Sequence, residues 1–140
     1  MRIIFLLLLL CCSQATIACM GGGTGKEEVI DITPENSKIH NISIRSSELE
    51  ADNELSIEII YPTKDGIREF GQIETSLYEE DEFVANIPFH KGSVLKDPSF
   101  KIHIIDVHRK LVEKSVISIW YYAPDVQPKI YRVKLGEQNL

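Results

Sequence analysis

The sequence has few cysteines, and none lies in the part expected to fold. All three, Cys11, Cys12 and Cys19, stand near the N-terminus of the 140-residue chain. The rest of the chain can form no internal disulfide, so its stability has to come from a hydrophobic core. That part also lacks a G-x-S-x-G motif, an H-E-x-x-H motif and a cysteine nucleophile, so we expect no enzymatic activity and no cofactor.

Basic patches are missing as well. The formal net charge is −6, and lysine and arginine form no cluster or stripe. Binding to nucleic acid requires cationic side chains that neutralise phosphates, so nucleic acid is not an expected partner. Attraction to an anionic membrane surface is not expected for the same reason.

Long hydrophobic runs are absent apart from one short run at the N-terminus. Arg2 is followed by apolar residues 3–12 and then by small residues, which is the pattern of a secretory signal peptide. The run is too short for a membrane span, which needs about 20 apolar residues. We therefore expect a secreted, extracellular protein that does not span the membrane.

The signal peptide has two candidate cleavage positions, after Ala15 and after Ala18. With the second, residues 1–18 are the signal peptide, residues 19–27 form a glycine-rich spacer, and residues 28–140 form a single domain. Cleavage after Ala18 also makes Cys19 the new N-terminus. An alternative interpretation is therefore a bacterial surface or periplasmic lipoprotein of sandwich fold, anchored through a lipid on Cys19.

Alternation of apolar and polar residues dominates the remaining chain. It is clear in residues 55–61, 83–89 and 130–135, and a period of two predicts strands with one face on a core. Residues 115–123 are β-branched and aromatic, with apolar side chains on both faces, which predicts a central strand. About seven or eight short strands between turn clusters predict an all-β, antiparallel two-sheet sandwich.

Two local features qualify this prediction. Residues 75–82 are the one stretch in which we expect a helical turn. Pro88 falls inside the alternating run 83–89, and proline cannot donate to a strand ladder, so that run is expected at a sheet edge or a bulge.

The segment HIIDVH holds the strongest candidates for chemistry. On a strand alternate side chains share a face, so His103 is expected on the face opposite to Asp106 and His108. One zinc ion cannot collect both histidines from a regular strand, and no third ligand is near in sequence. The favoured interpretation is a structural strand with an inward-facing apolar row made of Phe100, Ile102 and Ile104.

Three further features have both a structural and a functional interpretation. Acidic residues 79–82 offer oxygen ligands for Ca²⁺ but lack the EF-hand spacing, so a solvated turn is favoured and no metal is expected. The aromatic run Trp120, Tyr121 and Tyr122 can line a slot for an apolar ligand, although such residues usually belong to a core. Asn41 begins an N-x-S sequon and is a glycosylation site if the chain is secreted by a eukaryote.

Several segments together resemble the secreted transthyretin-like proteins that are abundant in nematodes. The most specific is the family's D-P-x-[LF]-K-I-x-H segment, which residues 97–103 match as DPSFKIH. Residues 40–46 are similar to its first strand, residues 81–85 to its G-x-F-x-L segment, and residues 129–135 to its last strand. The resemblance extends over residues 38–136 and implies a transthyretin-like or immunoglobulin-like sandwich.

The chain departs from that family at four positions. Ser46 and Asp81 stand where the family has glycines, and Asp81 tolerates a left-handed turn better than most residues. Glu50 and Asp106 lie near the positions of the two cysteines that the family pairs. A divergent member without the family disulfide is the expectation.

The resemblance implies binding rather than catalysis. The expected function is a non-catalytic extracellular binding module for a small apolar ligand or a cell-surface partner, with a homodimer through edge strands as one arrangement. The related 5-hydroxyisourate hydrolases share the fold and end in Y-R-G-S. This chain reads Y-R-V-K from Tyr131 to Lys134, so that activity is not expected.

Overall fold

A computed structural model describes residues 26–49, 53–87, 91–94 and 97–140. The signal peptide with both cleavage positions, Cys19 and nearly all of the spacer lie outside the described residues, as do Pro88 and His90. None of the helices in the described ranges has the length and apolar composition needed to cross a membrane.

Ten strands and two short helical segments make up this part of the chain. The strands are β1 (Glu28–Ile32), β2 (Ser43–Glu48), β3 (Glu54–Pro62), β4 (Lys64–Asp65), β5 (Arg68–Glu79), β6 (Glu82–Ile87), β7 (Lys91–Val94), β8 (Phe100–His108), β9 (Ser115–Ala123) and β10 (Val126–Lys134). The helical segments are α1 (Arg109–Val112), between β8 and β9, and a single 3₁₀ turn (Leu135–Glu137) after β10.

The strands form two sheets that pack into a sandwich, which confirms the predicted all-β class. We call the sheet with strand order β1-β10-β9-β5-β4 sheet A, and β6 joins it by pairing with β5. Sheet B has the order β2-β3-β8-β7. The predicted central strand is β9, which lies between β10 and β5.

The structure corrects three details of the prediction. Ten strands replace the expected seven or eight, partly because β4 is a two-residue ladder. The pair β1 and β10 is parallel, since the chain between them supplies the long connection that a parallel pair needs. Residues 75–82 contain no helical turn: β5 runs to Glu79, and Glu80 and Asp81 turn the chain with φ of 50° and 67°.

Rows of β-branched side chains from both sheets fill the space between them. In β3 every second residue is buried, which places Leu55, Ile57, Ile59 and Tyr61 in one inward row. Ile117 and Ile119 of β9 and Val133 of β10 are completely buried in the same cluster. Burial of apolar area on this scale is the main stabilising contribution in a sandwich without disulfides.

Aromatic rings fill one end of this interior. Tyr61 contacts Phe70 of the opposite sheet at 5.1 Å between ring centroids, and Phe70 meets the edge of Tyr121 at 6.3 Å. Tyr121 in turn meets Tyr131 edge-on at 5.6 Å. The Tyr121 hydroxyl donates a hydrogen bond to the carbonyl of Pro62 at 2.7 Å and so joins the two sheets.

The inward face of β8 is the opposite of the predicted one. Ile105 and Val107 are buried, whereas Ile102 and Ile104 are only half-buried and lie outside the core cluster. The register with β3 is the reason, because it sets Ile105 opposite Ile57. Within β8 alone both faces carry isoleucine, so the period of two does not identify the inner one.

A matched pair of substitutions tests this assignment. Ile105→Ala is expected to lower the free energy of unfolding by about 3 kcal/mol, because it leaves a cavity in a tightly packed interior. Ile104→Ala, one residue away on the outer face, is expected to cost about 1 kcal/mol or less. Urea denaturation of both variants measures the difference, and equal or reversed costs would contradict the observed orientation of β8.

Candidate functional site

The residues of the HIIDVH segment do not converge. As predicted, His103 lies on the face of sheet B opposite to that of Asp106 and His108, but it is His103 that lies on the inner face, because the inward face of β8 is the reverse of the predicted one. The ring of His108 has a local structural role, since its Nδ1 accepts a hydrogen bond from the backbone N–H of Lys110 at 3.2 Å and caps α1. This segment therefore does not assemble a shared catalytic or metal site.

No metal centre is formed by the part of the chain that the structure describes. No three His, Cys, Asp or Glu side chains in these ranges are close enough to hold an ion. The ring of His40 packs against Tyr131 at 5.0 Å, far from β8 in the chain. In the acidic turn, Glu79 forms an ion pair with Lys114 at 2.6 Å, which also lowers the pKa of the Glu79 carboxyl.

A half-buried histidine and a buried tyrosine form a hydrogen-bonded pair of side chains inside the sandwich. The Tyr61 hydroxyl and His103 Nδ1 are 2.6 Å apart, and the two rings stack at 5.5 Å. Burial raises the pKa of Tyr61, so the phenol keeps its proton. The hydroxyl and Nδ1 share one hydrogen bond, which the phenol donates in the Nε2–H tautomer of the imidazole and the imidazole donates in the Nδ1–H tautomer.

The surroundings of this pair oppose a charged imidazole. Burial lowers the pKa of His103 below its usual value of 6.5, and the nearby charge of Lys101 lowers it further. The Lys101 ammonium group lies over the Phe70 ring at 4.2 Å, so the cation is held against the aromatic end of the core. The arrangement stabilises the neutral histidine and the packing around it.

An ion-pair network joins four strands of sheet A. Lys129 lies 2.9 Å from Asp65 and 3.7 Å from Glu28, and Glu28 lies 3.5 Å from Arg68. Burial alone would lower the pKa of Lys129, but its hydrogen bonds to Asp65 and Tyr131 raise it. These charges neutralise one another and join β1, β4, β5 and β10, which is a structural role.

The aromatic run at residues 120–122 is divided between the two faces of sheet A. Tyr121 points into the core, whereas Trp120 and Tyr122 lie side by side on the outer face with parallel rings 6.2 Å apart. The Tyr122 ring covers Gly71 so closely that a β-carbon there would overlap it. The three residues therefore do not line one slot.

Among the strand residues whose exposure the structure describes, the most exposed large apolar side chains lie on β6. Phe83 is 58% exposed and Val84 is 55% exposed, and their neighbours from Glu82 to Asn86 are exposed on both faces. The alternation in this run had predicted Phe83 and Ala85 on a core-facing side, which is wrong. A bulge opposite Leu77 and Tyr78 shifts the register and brings Phe83 beside Tyr78 on the outer face.

A two-residue turn gives the β5–β6 hairpin its shape. Glu80 and Asp81 both take positive φ, as the tightest hairpin turns require, and Asp81 lies in the turn position that the family resemblance implied for it. Among the described residues β6 pairs only with β5, so its outer row of backbone N–H and C=O groups faces away from the sheet. The sequence did not predict the exposure of β6, because its alternation of apolar and polar residues is the same as that of a strand with one buried face.

An open concavity of about 560 Å³ adjoins the hairpin on the outer face of sheet A. Tyr78 and Val116 contribute apolar surface, and charged side chains surround them, among them Arg132 and Lys134 on one side and Glu80 on the other. Charged walls do not suit a small apolar ligand.

Comparisons of the chain with protein-family models, with curated proteins and with solved structures gave no match. The resemblance to the transthyretin-like family stays a prediction, and function has to be argued from the surface itself.

The Tyr61–His103 pair generates a pH prediction. The free energy of unfolding is expected to fall as the pH is lowered from about 7 to about 5, because the unfolded chain binds a proton at its ordinary histidine pKa while the folded chain resists it. His103→Gln keeps a polar side chain and removes this titration, so its stability should depend less on pH. Urea denaturation at several pH values measures both slopes.

The matched control is His40→Gln, which removes one imidazole and leaves the Tyr61–His103 hydrogen bond intact. It should keep most of the wild-type slope. A His103→Gln variant whose stability changes with pH as steeply as that of the wild type would refute the role of this histidine.

Proposed function

We propose that this protein is a secreted, non-catalytic binding module of transthyretin-like type, and that it binds another protein through the β5–β6 hairpin. The observation that supports the proposal is the exposure of β6: Phe83 and Val84 are both more than half exposed on a strand with one unpaired edge. Soluble proteins usually protect such an edge, and an exposed one is a template for a strand from a partner.

The hairpin has the two components that strand addition needs. The unpaired backbone groups of β6 provide main-chain hydrogen bonds, and Phe83 and Val84 provide apolar anchors next to them. Acidic side chains at the tip, Glu80 and Asp81, surround these anchors with negative charge. These charges keep an exposed apolar edge in solution.

The N-terminal sequence supports an extracellular location. Residues 1–18 have the layout of a signal peptide, and the sandwich needs no disulfide in an oxidising compartment. The alternative is the lipoprotein anchored through Cys19, and the two differ in the chemistry of the mature N-terminus. A small apolar ligand is the weaker alternative, because the concavity beside the hairpin has charged walls.

Expression of the full-length gene in cultured animal cells tests secretion. The expected result is soluble protein in the medium whose mature N-terminus, measured by mass spectrometry, follows Ala18 or Ala15 and carries no lipid. The same gene expressed in bacteria provides the comparison. A diacylglycerol on Cys19 would establish the lipoprotein interpretation, and retention of the uncleaved chain in cells would contradict secretion.

Single-cysteine cross-linking tests the hairpin edge, with Cys19→Ser as the background. A second copy of the chain is the simplest strand donor, and two β6 strands paired across a two-fold axis bring their Val84 positions together. Val84→Cys is therefore expected to give a cross-linked dimer on mild oxidation. Ile67→Cys is the matched control, because Ile67 is 74% exposed but lies outside β6.

Val84→Lys completes the test, since a charge on the edge blocks strand pairing and, at an exposed position, changes stability by only about 0.5 kcal/mol. If Val84→Cys stays monomeric, a partner on cell surfaces is tested instead. Labelled wild-type protein is applied to cells, and the Val84→Lys variant is expected to bind to their surface more weakly. Dimerisation and cell binding that are both unaffected by Val84→Lys would contradict the proposal.

A further inference from the structure

Asn41 occupies a defined turn position immediately before β2. The backbone N–H of Ile42 donates to the carbonyl of Ser37 at 3.0 Å, and that of Asn41 donates to the carbonyl of Lys38 at 3.2 Å. This pair of hydrogen bonds is the Schellman motif, which ends a helical turn with one left-handed residue. Asn41 is that residue, with φ of 55°.

The Schellman motif places neighbouring residues of the sequon in different environments. Ile42 is buried, at 2% exposure, and anchors the segment in the core. Asn41 is exposed, and its side-chain amide makes no hydrogen bond or ring contact with the described residues. Ser43 opens β2 opposite Ile60. The fold therefore accepts a large group on Asn41 without disturbing its packing.

We propose that Asn41 carries an N-linked glycan, and that this glycan screens the adjacent unpaired edge of β2. The proposal rests on the proposed secretion, because the sugar is added in the secretory pathway. In the transfer, the Asn41 side-chain nitrogen forms a bond to the anomeric carbon of a lipid-diphosphate-linked oligosaccharide and loses one proton. The bond from that carbon to the diphosphate oxygen breaks, and the lipid diphosphate leaves.

The surface around Asn41 gives the glycan a role. Among the described residues β2 pairs only with β3, and its residues from Arg45 to Glu48 are exposed. Ile39, two residues before Asn41, is 76% exposed, more than any other large hydrophobic side chain described. A bulky hydrophilic group at Asn41 covers both features.

The sequon can be removed without changing the turn. Asn41→Asp keeps a residue that tolerates the left-handed conformation, so it abolishes the acceptor nitrogen while preserving the Schellman motif. Ser43→Ala removes the hydroxyl that the sequon requires and leaves Asn41 in place. Ser43→Thr is the matched control, because it keeps the hydroxyl at the same position of β2.

The variants are expressed as full chains in cultured animal cells, and the medium is treated with peptide N-glycosidase. Wild type and Ser43→Thr should change mobility on treatment, and Asn41→Asp and Ser43→Ala should not. Wild-type protein that reaches the medium without sugar would overturn the glycan assignment and leave secretion intact. A second gene, with an established secretion leader in place of residues 1–18, separates the glycan assignment from the proposed secretion. If this second protein carries sugar while the native leader gives no export, the glycosylation site is supported and only the proposed secretion is contradicted.

Cross-linking measures the screening role. Ser46→Cys, placed on the β2 edge in the Cys19→Ser background, should cross-link several-fold more between copies with Ser43→Ala than with Ser43→Thr. Equal cross-linking in the two backgrounds would overturn the claim that the glycan covers this edge.

Discussion

The inward row of β3 is the constraint on which the rest of the structure depends. Its members, from Leu55 to Tyr61, alternate without interruption and are all buried, so this strand has only one orientation that keeps hydrocarbon out of water. Both neighbours then take their register from it: Ile57 sets Ile105 inward on β8, and Ile59 sets Ile44 inward on β2. A slip of one residue would expose the whole row, which is a far larger cost than any single side chain elsewhere can offset.

The polar groups within the sandwich follow from the tyrosines at one end of this row. A tyrosine brings a hydroxyl into the interior along with its ring, and a buried hydroxyl without a partner is costly. The Tyr61 hydroxyl is hydrogen-bonded to His103, and the Tyr121 hydroxyl donates a hydrogen bond to the Pro62 carbonyl. The histidine that looked like a catalytic candidate in the sequence is thus the hydrogen-bond partner of a core tyrosine, and its environment favours the neutral form.

The sequence was sufficient for the class of fold and for strands with an unambiguous pattern, such as β3 and β9. It failed where two patterns competed. In β8 isoleucine occurs on both faces, and only the pairing with β3 decides between Ile104 and Ile105. In β6 the alternation was real but unrelated to burial, because exposure depends on whether an opposing sheet reaches that far. Two signals pointed to the hairpin: Pro88 predicted an edge or a bulge for the run 83–89, and Asp81 stands where the resembled family has a turn glycine.

The hairpin is exposed because it lies at the edge of sheet A. Among the described residues β6 pairs only with β5, opposite Thr75 to Glu79, and its residues from Glu82 to Asn86 are all exposed. The β5 side of this pair still belongs to the interior, since Thr75 and Ser76 are buried. Ile87 at the end of β6 packs against the core, whereas Phe83 and Val84 near its start do not, and the charged turn at the tip offsets the exposure of these two apolar side chains.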